Sequence, residues 1–475
     1  MRLLHVGSGF RPWRRGGLVA YTEDLMDEQV RHGHQVSYFF SGRQYPLVNG
    51  PRLRRWRRRG IEMLEVINSP LYDHGRQPEL EIGEPAVERT LAATLRRTRP
   101  DVVHVHEFAG LPFSILDVIH DEGLPCVVTL QDYFPICSTF RLLDATGRVC
   151  HRREIGADCV ATTAADPRPP GLMVEATVGL HLRELPAVRL LNSGRIDGWI
   201  AAASHRVGAV DAAWRARRQP TPVAGADRGA VFQRRREANV ERLNRADCVI
   251  AMSTRVAEIY ERLGVRSPRT VHLTLAHIER LRPRPAAPRQ PPLTLATLAG
   301  FESESKGALL LIEAMRTLAP RVPPGSVRLL VLGHIDHRFR LASRDVPGIE
   351  LGLPFRPHEL DSILDGVDVG LMPSVWEEAY GYAGVEFLAK GIPVIANAIG
   401  GMRDYVRPGE TGWLNRSCSP AELADIVAEL VAHPEELART SERVVAARGR
   451  IVKPLATHAE EMEAIYAEVA AARAA

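Results

Sequence analysis

The chain has 475 residues, 45% hydrophobic and 25% charged, which is ordinary globular composition but too long for one core, so two domains are expected. Its formal net charge of +4 is too mild to argue for nucleic acid. Six cysteines in so long a chain do not make a disulfide scaffold. No apolar run approaches the roughly 18 residues of a membrane span, and the cytoplasm is the default location.

Met1 to Val6 runs straight into a glycine-rich turn and reads as a first strand rather than a secretory signal. Short β-rich runs then alternate with helix-like stretches, the pattern of a parallel α/β sheet. Strands are expected at Leu3–Gly7, Gln35–Phe40, Val102–His106, Cys126–Leu130 and Cys248–Met252. A second series is expected at Leu293–Ala299, Val327–Leu332, Gly366–Met372 and Pro393–Ala396. Between them, Arg282–Pro292 carries five prolines, which cannot continue a helix or a central strand, and reads as the interdomain linker. The boundaries are therefore 1–285 for the first domain and 286–455 for the second, with an amphipathic helix over 456–475. The stretch from about Ala161 to Ala230 is poorly readable and is taken as an insertion in the first domain.

Four places carry chemistry. After the first strand, Gly7-Ser8-Gly9 and Gly16-Gly17 precede the helix-like run Val19–His32, so that backbone and free amides can approach an anion. The spacing departs from the dinucleotide fingerprint. Next, Pro100–His106 and Thr129-Leu130-Gln131-Asp132-Tyr133 put polar side chains at the carboxyl ends of parallel strands, where open sheets bind ligands. His104 is expected in the core and His106 facing the cleft. The third place is Gly300 to Gly307, where a strand end, a polar loop, Lys306 and the start of helix Ala308–Leu318 together suit a diphosphate. The fourth is Pro373 to Glu386. Glu378 should lie in the loop at the sheet's carboxyl edge and Glu386 one or two turns into the next helix. Gly381 with the amides of Tyr382 and Ala383 would bind phosphate oxygens, and Glu386 would accept hydrogen bonds from ribose hydroxyls.

With these motifs in place, the chain resembles the family-four group of retaining glycosyltransferases. The anchors are Gly16-Gly17, Pro-Asp-Val-Val-His-Val-His, Ala246–Ser253, Lys306-Gly307, the pair Glu378 and Glu386 seven residues apart, Gly391–Ala396, Gly400-Gly401, and Gly409 to Gly412. The resemblance implies a GT-B fold, α/β with two Rossmann-like domains facing each other across a cleft. It implies that the last helix crosses back to the first domain. It implies transfer of a sugar, with retention, from a UDP- or GDP-sugar to a hydroxyl acceptor, without a metal or other cofactor. In its terms Gly17 approaches the donor, Gly300 and Lys306 form the diphosphate site, Pro373 and Ser374 shape the donor pocket, Glu378 contacts the sugar and Glu386 the ribose. His106 and Gln131 join Lys306 and Glu378 as catalytic candidates. Two departures stand out: Phe301 where many relatives carry arginine, and Gln131 where many carry histidine. They motivate an alternative, a non-catalytic nucleotide-sugar or glycan-binding protein on the same fold. A sugar phosphorylase or epimerase is the other.

Two weaker features complete the reading. Cys137, Cys150 and Cys159 with His151 could hold zinc, although their spacing fits no finger pattern and unpaired thiols are the plainer account. The arginines of Arg52–Arg59 could meet anionic lipid or an anionic acceptor, with a solvated loop as the plainer account.

Overall fold

The computed structural model describes every residue except 12, 13, 15, 46–49, 72, 166–226, 285–290 and 475. Most of the poorly readable insertion, and part of the proline-rich linker, lie outside the described residues. Two sheets form. The first holds β1 (Arg2–Gly7), β2 (Gln35–Ser41), β3 (Arg52–Arg58), β4 (Ile61–Ile67), β5 (Val102–Val105), β6 (Cys126–Leu130), β7 (Cys248–Ala251) and β8 (Arg269–Thr270), in the order β3-β4-β2-β1-β5-β6-β7-β8. The second holds β9 (Leu293–Thr297), β10 (Val327–Val331), β11 (Ile349–Leu351), β12 (Val369–Met372), β13 (Val394–Asn397) and β14 (Gly412–Asn415), in the order β11-β10-β9-β12-β13-β14. The second is a doubly wound Rossmann order, parallel throughout. All but β3 of the first sheet is parallel too.

The central strands read as unbroken apolar runs because helices cover both faces. Every residue of β5, β6, β9, β12 and β13 is buried. The arginine-rich stretch is not a loop but the antiparallel edge strand β3, registered against β4 from Arg52 opposite Ile67 to Arg58 opposite Ile61. Leu53, Trp56 and Arg58 are half-buried, and Arg52, Arg54, Arg55 and Arg57 are exposed. Trp56 packs edge-on to Phe40 at 5.9 Å, and Arg58 pairs with Glu23 at 2.9 Å. Charged edges of this kind block sheet-to-sheet pairing.

The strand order reverses between β1 and β5 in the first sheet and between β9 and β12 in the second. Ligand crevices open at such points, beyond the carboxyl ends of the strands. The loops after β1, β9 and β12 carry the glycine, lysine and glutamate motifs. The helix Leu455–Ala474 lies on the first domain. There His458 Nε2 meets the Tyr21 hydroxyl at 2.9 Å and the Tyr466 hydroxyl meets His104 Nδ1 at 2.7 Å. Among the described residues no helix is long and apolar enough to cross a membrane.

Candidate active site

A cleft of about 550 Å³ is lined from the first domain by Gly16, Gly17 and His277, and from the second by Lys306, Pro373, Ser374, Glu378, Gly381, Tyr382, Ala383 and Glu386. Local structure explains the convergence. Lys306 ends a one-turn 3-10 helix, Glu304–Lys306, before the helix Ala308–Leu318. Gly307 joins the two at φ 82°, and a Cβ there would run into the Pro373 carbonyl, so glycine lets the lysine loop lie against the loop after β12. Asn397, at the end of β13, donates through Nδ2 to the carbonyls of Pro373 and Ser374 at 3.0 Å each, which fixes that second loop.

Glu378 is the focus. Its Oε2 accepts from Lys306 Nζ at 2.7 Å, Ser374 Oγ at 3.0 Å and Trp376 Nε1 at 3.1 Å. The Lys306 ammonium also sits 5.1 Å from the Trp376 ring centroid, a cation–π distance. Gly381, at φ 79°, caps the helix Tyr382–Ala389. Its carbonyl accepts from the Tyr405 hydroxyl at 2.8 Å, which anchors the helix start that lines the cleft. Glu386 lies one turn on, and its Oε1 accepts from His277 Nε2 at 2.6 Å. Gly17 faces Tyr382 across the cleft: a Cβ on Gly17 would stand 2.6 Å from the tyrosine ring.

Three candidates fall elsewhere. Gly300 is not among the residues lining this cleft; it turns at φ 63° against the His334 backbone and holds the strand exit. His106, expected at the cleft, is buried, as is Gln131. His106 Nε2 bonds His5 Nδ1 at 2.8 Å, and Gln131 Nε2 meets His106 Nδ1 at 3.2 Å. The reason is strand parity: residues two apart share a face, so His106 follows His104 inward, ring centroids 3.8 Å apart. Phe301 is fully buried in the second domain's core.

Among the described residues, the one group of three side chains with metal-ligand atoms within 4.8 Å of one another is His5, His104 and His106. Burial holds all three neutral, His5 down to about 4. Most of their nitrogens are nevertheless spent: His104 Nε2 on the Thr129 hydroxyl at 2.7 Å, Nδ1 on Tyr466, His5 Nδ1 on His106 Nε2 and His106 Nδ1 on Gln131, with His5 Nε2 alone outside these bonds. This is a hydrogen-bonded core stack. The Cys₃His set does not assemble, because His151 turns away to Glu377, at 2.9 Å. Cys137, Cys150 and Cys159 line a separate pocket with Arg152 and Arg236, and all three thiols are free.

At the exit of β6, burial and then the neighbouring Glu107 push the Asp132 carboxyl up to about 7. The folded state therefore keeps this proton to higher pH than the unfolded chain does. Its contribution to stability is full below about pH 4 and lost as pH rises through about 7. Asp132→Asn, which can still accept from the Phe134 amide at 2.8 Å, should raise the melting temperature by a few degrees at pH 8 and leave it unmoved at pH 4. Equal shifts at both pH values would refute the assignment.

Sequence reasoning missed Arg11, His277, His334 and Phe355, which also line the cleft. It missed the role of Glu377 as well. That residue is 1% exposed, receives Arg255 Nε at 3.0 Å and the Gly400 amide at 3.0 Å, and faces away from the cleft.

Comparison with known proteins bears on the family and the fold. A family model described as "Glycosyl transferases group 1" matches residues 292–433, and one described as "Glycosyl transferase 4-like domain" matches residues 16–168. The D-inositol 3-phosphate glycosyltransferase of Corynebacterium urealyticum is 31% identical over 141 residues, 28% of this chain and 33% of the relative. The putative colanic acid biosynthesis glycosyltransferase WcaL of Escherichia coli K12 is 29% identical over 185 residues, 36% of this chain and 44% of the relative. The chain thus spans between a third and under half of the length of these curated relatives. Anabaena HepE, solved in complex with UDP, superposes with a TM-score of 0.57 at 15% identity, over 98% of this chain and 100% of that one. A sucrose-phosphate synthase from Thermosynechococcus elongatus gives 0.56 at 16%, over 99% and 100%. At such identities the likeness is one of fold, and that fold is GT-B. The two family models do not overlap and together take up more than half of the sequence, and the chain belongs to the family-four, group 1 glycosyltransferases.

Proposed function

We propose that the protein is a retaining glycosyltransferase that moves a sugar from a nucleoside-diphosphate donor, a UDP- or GDP-sugar, to a hydroxyl acceptor. The observation that carries this reading is the cleft itself. One carboxylate stands beside a lysine, a second stands one turn into the neighbouring helix, and the start of that helix lies between them. This spacing suits a pyrophosphate flanked by a sugar and a ribose. Lys306 and the amides of Tyr382 and Ala383 would meet the charge that grows on the leaving diphosphate, a stabilisation strongest in the transition state. Glu378 would accept from hydroxyls of the donor sugar and Glu386 from the ribose.

In the reaction the acceptor oxygen bonds to the anomeric carbon while the bond from that carbon to the diphosphate oxygen breaks. The acceptor proton passes to the departing phosphate. On this reading the protein supplies no base, so Gln131, which cannot take a proton near neutral pH, is compatible with activity. The reading needs no resident metal, since Lys306 and the helix amides carry the charge.

A thermal-shift comparison of UDP, GDP and ADP tests the donor half, because a ligand that binds only the folded state raises its melting temperature. One of the three should raise it clearly; no rise with any would count against the donor site. The anomeric configuration of the product, read by NMR, tests the chemistry. A linkage of inverted configuration would refute retention.

A further inference from the structure

The contact between His277 and Glu386 joins the two domains across the floor of the cleft. His277 belongs to the segment that leaves β8 and leads to the linker, yet its Nε2 reaches a carboxylate on the helix Tyr382–Ala389. Both side chains are largely shielded, at 19% and 12% exposure, so the bond is not a solvated surface pair.

The backbone beneath His277 is fixed from three sides. The Ala276 amide donates to Asp24 Oδ2 at 2.8 Å, which ties the segment to the helix Gly17–Arg31. Ile278 is fully buried at the start of the turn Ile278–Arg280. Arg448 Nη2 donates to the carbonyls of Glu279 and Leu281, each at 3.0 Å. A side chain on so constrained a backbone can orient what it touches.

We propose that His277 is a positioning residue for the donor ribose. Its Nε2–H holds Glu386 Oε1 and leaves Oε2 to accept from the sugar hydroxyls. Without that bond a glutamate carboxylate samples several rotamers and meets the ribose in only some of them. The same bond makes ribose recognition depend on the first domain's being docked. The inference rests on the donor reading above.

Calorimetry on the full-length chain tests it, with UDP, GDP and ADP each set against its 2′,3′-dideoxy counterpart. For whichever base binds, His277→Ala should weaken the ribonucleotide about tenfold, the size of one charge-assisted hydrogen bond. The dideoxy compound should change little, so the preference for ribose collapses. His277→Gln, whose amide nitrogen can donate to Glu386, should recover most of the loss. In a Glu386→Ala background, His277→Ala should do nothing more. A purely structural role for His277 would weaken both compounds alike. An unchanged ribose preference in His277→Ala, or an additive loss in the double variant, would overturn the proposal. Wild-type protein that binds none of the three diphosphates would defeat the donor reading itself, and this inference with it.

Discussion

Lys306→Ala should lower turnover by about two to three orders of magnitude, the range seen when one preorganised group that stabilises developing charge is removed. The charge balance of the cleft explains why so much rests on this ammonium. Phe301 is buried in the core and offers no second cation. Arg11 lines the cleft but is committed to Glu23, whose Oε2 accepts its amide at 3.1 Å, and to Asp24 at 2.9 Å. Lys306 is held by Glu378 at 2.7 Å and is part-exposed, so it can turn to an incoming diphosphate without repacking the core.

The fold should survive the change. Glu378 keeps Ser374 and Trp376 as donors, so its carboxylate is not left unpaired when the ammonium is removed. Nucleotide affinity should fall less than turnover, because the charge on the leaving group is greatest in the transition state. Lys306→Arg should recover part of the rate. Steady-state kinetics with the responding donor, alongside a melting curve, separates the effects. A variant with wild-type turnover would remove Lys306 from the mechanism.

How much of this was legible in the sequence follows the range of the forces involved. Lys306, Glu378 and Glu386 could be read because each is placed by its nearest strand end or helix start. The strands buried on both faces announced themselves as apolar runs. β3 did not, because on an exposed edge its arginines look like a solvated loop, and its two apolar residues, Leu53 and Trp56, stand three apart and give no period-two pattern. Ile61–Ile67 hides a strand behind two glutamates. One of them, Glu65, is fully buried and matched to Arg43. His277 left no local trace, since its function depends on a helix more than a hundred residues away. The adjacent pair Glu377 and Glu378 shows the limit most sharply. Neighbours of the same type point in opposite directions, one into the cleft and one into the domain seam, and only tertiary partners decide which is which.

That seam supports the second large effect: Glu377→Ala should cost on the order of 3 kcal/mol of stability, the lower end for breaking a buried ion pair. Glu377 sits in the second domain but its side-chain partners come from the first. Arg255, at the start of the helix Thr254–Arg262, donates Nε at 3.0 Å, and His151 Nε2 lies 2.9 Å away. Around this pair, Ser253 Oγ donates to the Ala379 carbonyl at 2.7 Å, while Asp404 accepts the Thr254 amide and meets His272 Nε2, both at 2.8 Å. Truncation strands the Arg255 guanidinium, 14% exposed, with Glu258 as its remaining carboxylate.

The same contact sets an expected pH dependence. Burial alone would raise the Glu377 carboxyl, but His151 and Arg255 outweigh it and pull the group from 4.5 down to about 2. A depressed carboxylate contributes stability that is full above its unfolded value and is lost as pH falls through the folded one. The gap of roughly 2.5 units is again about 3 kcal/mol. The melting temperatures of wild type and Glu377→Ala should therefore lie well apart at pH 7 and converge between about pH 4.5 and pH 2. Other carboxylates titrate in both proteins and cancel in the difference. Small-angle scattering should show the variant more open at neutral pH, because the lost contact joins the domains rather than supporting either sheet. A difference between the two proteins that stays constant from pH 7 to pH 3, with unchanged scattering, would mean that Glu377 does not hold the seam.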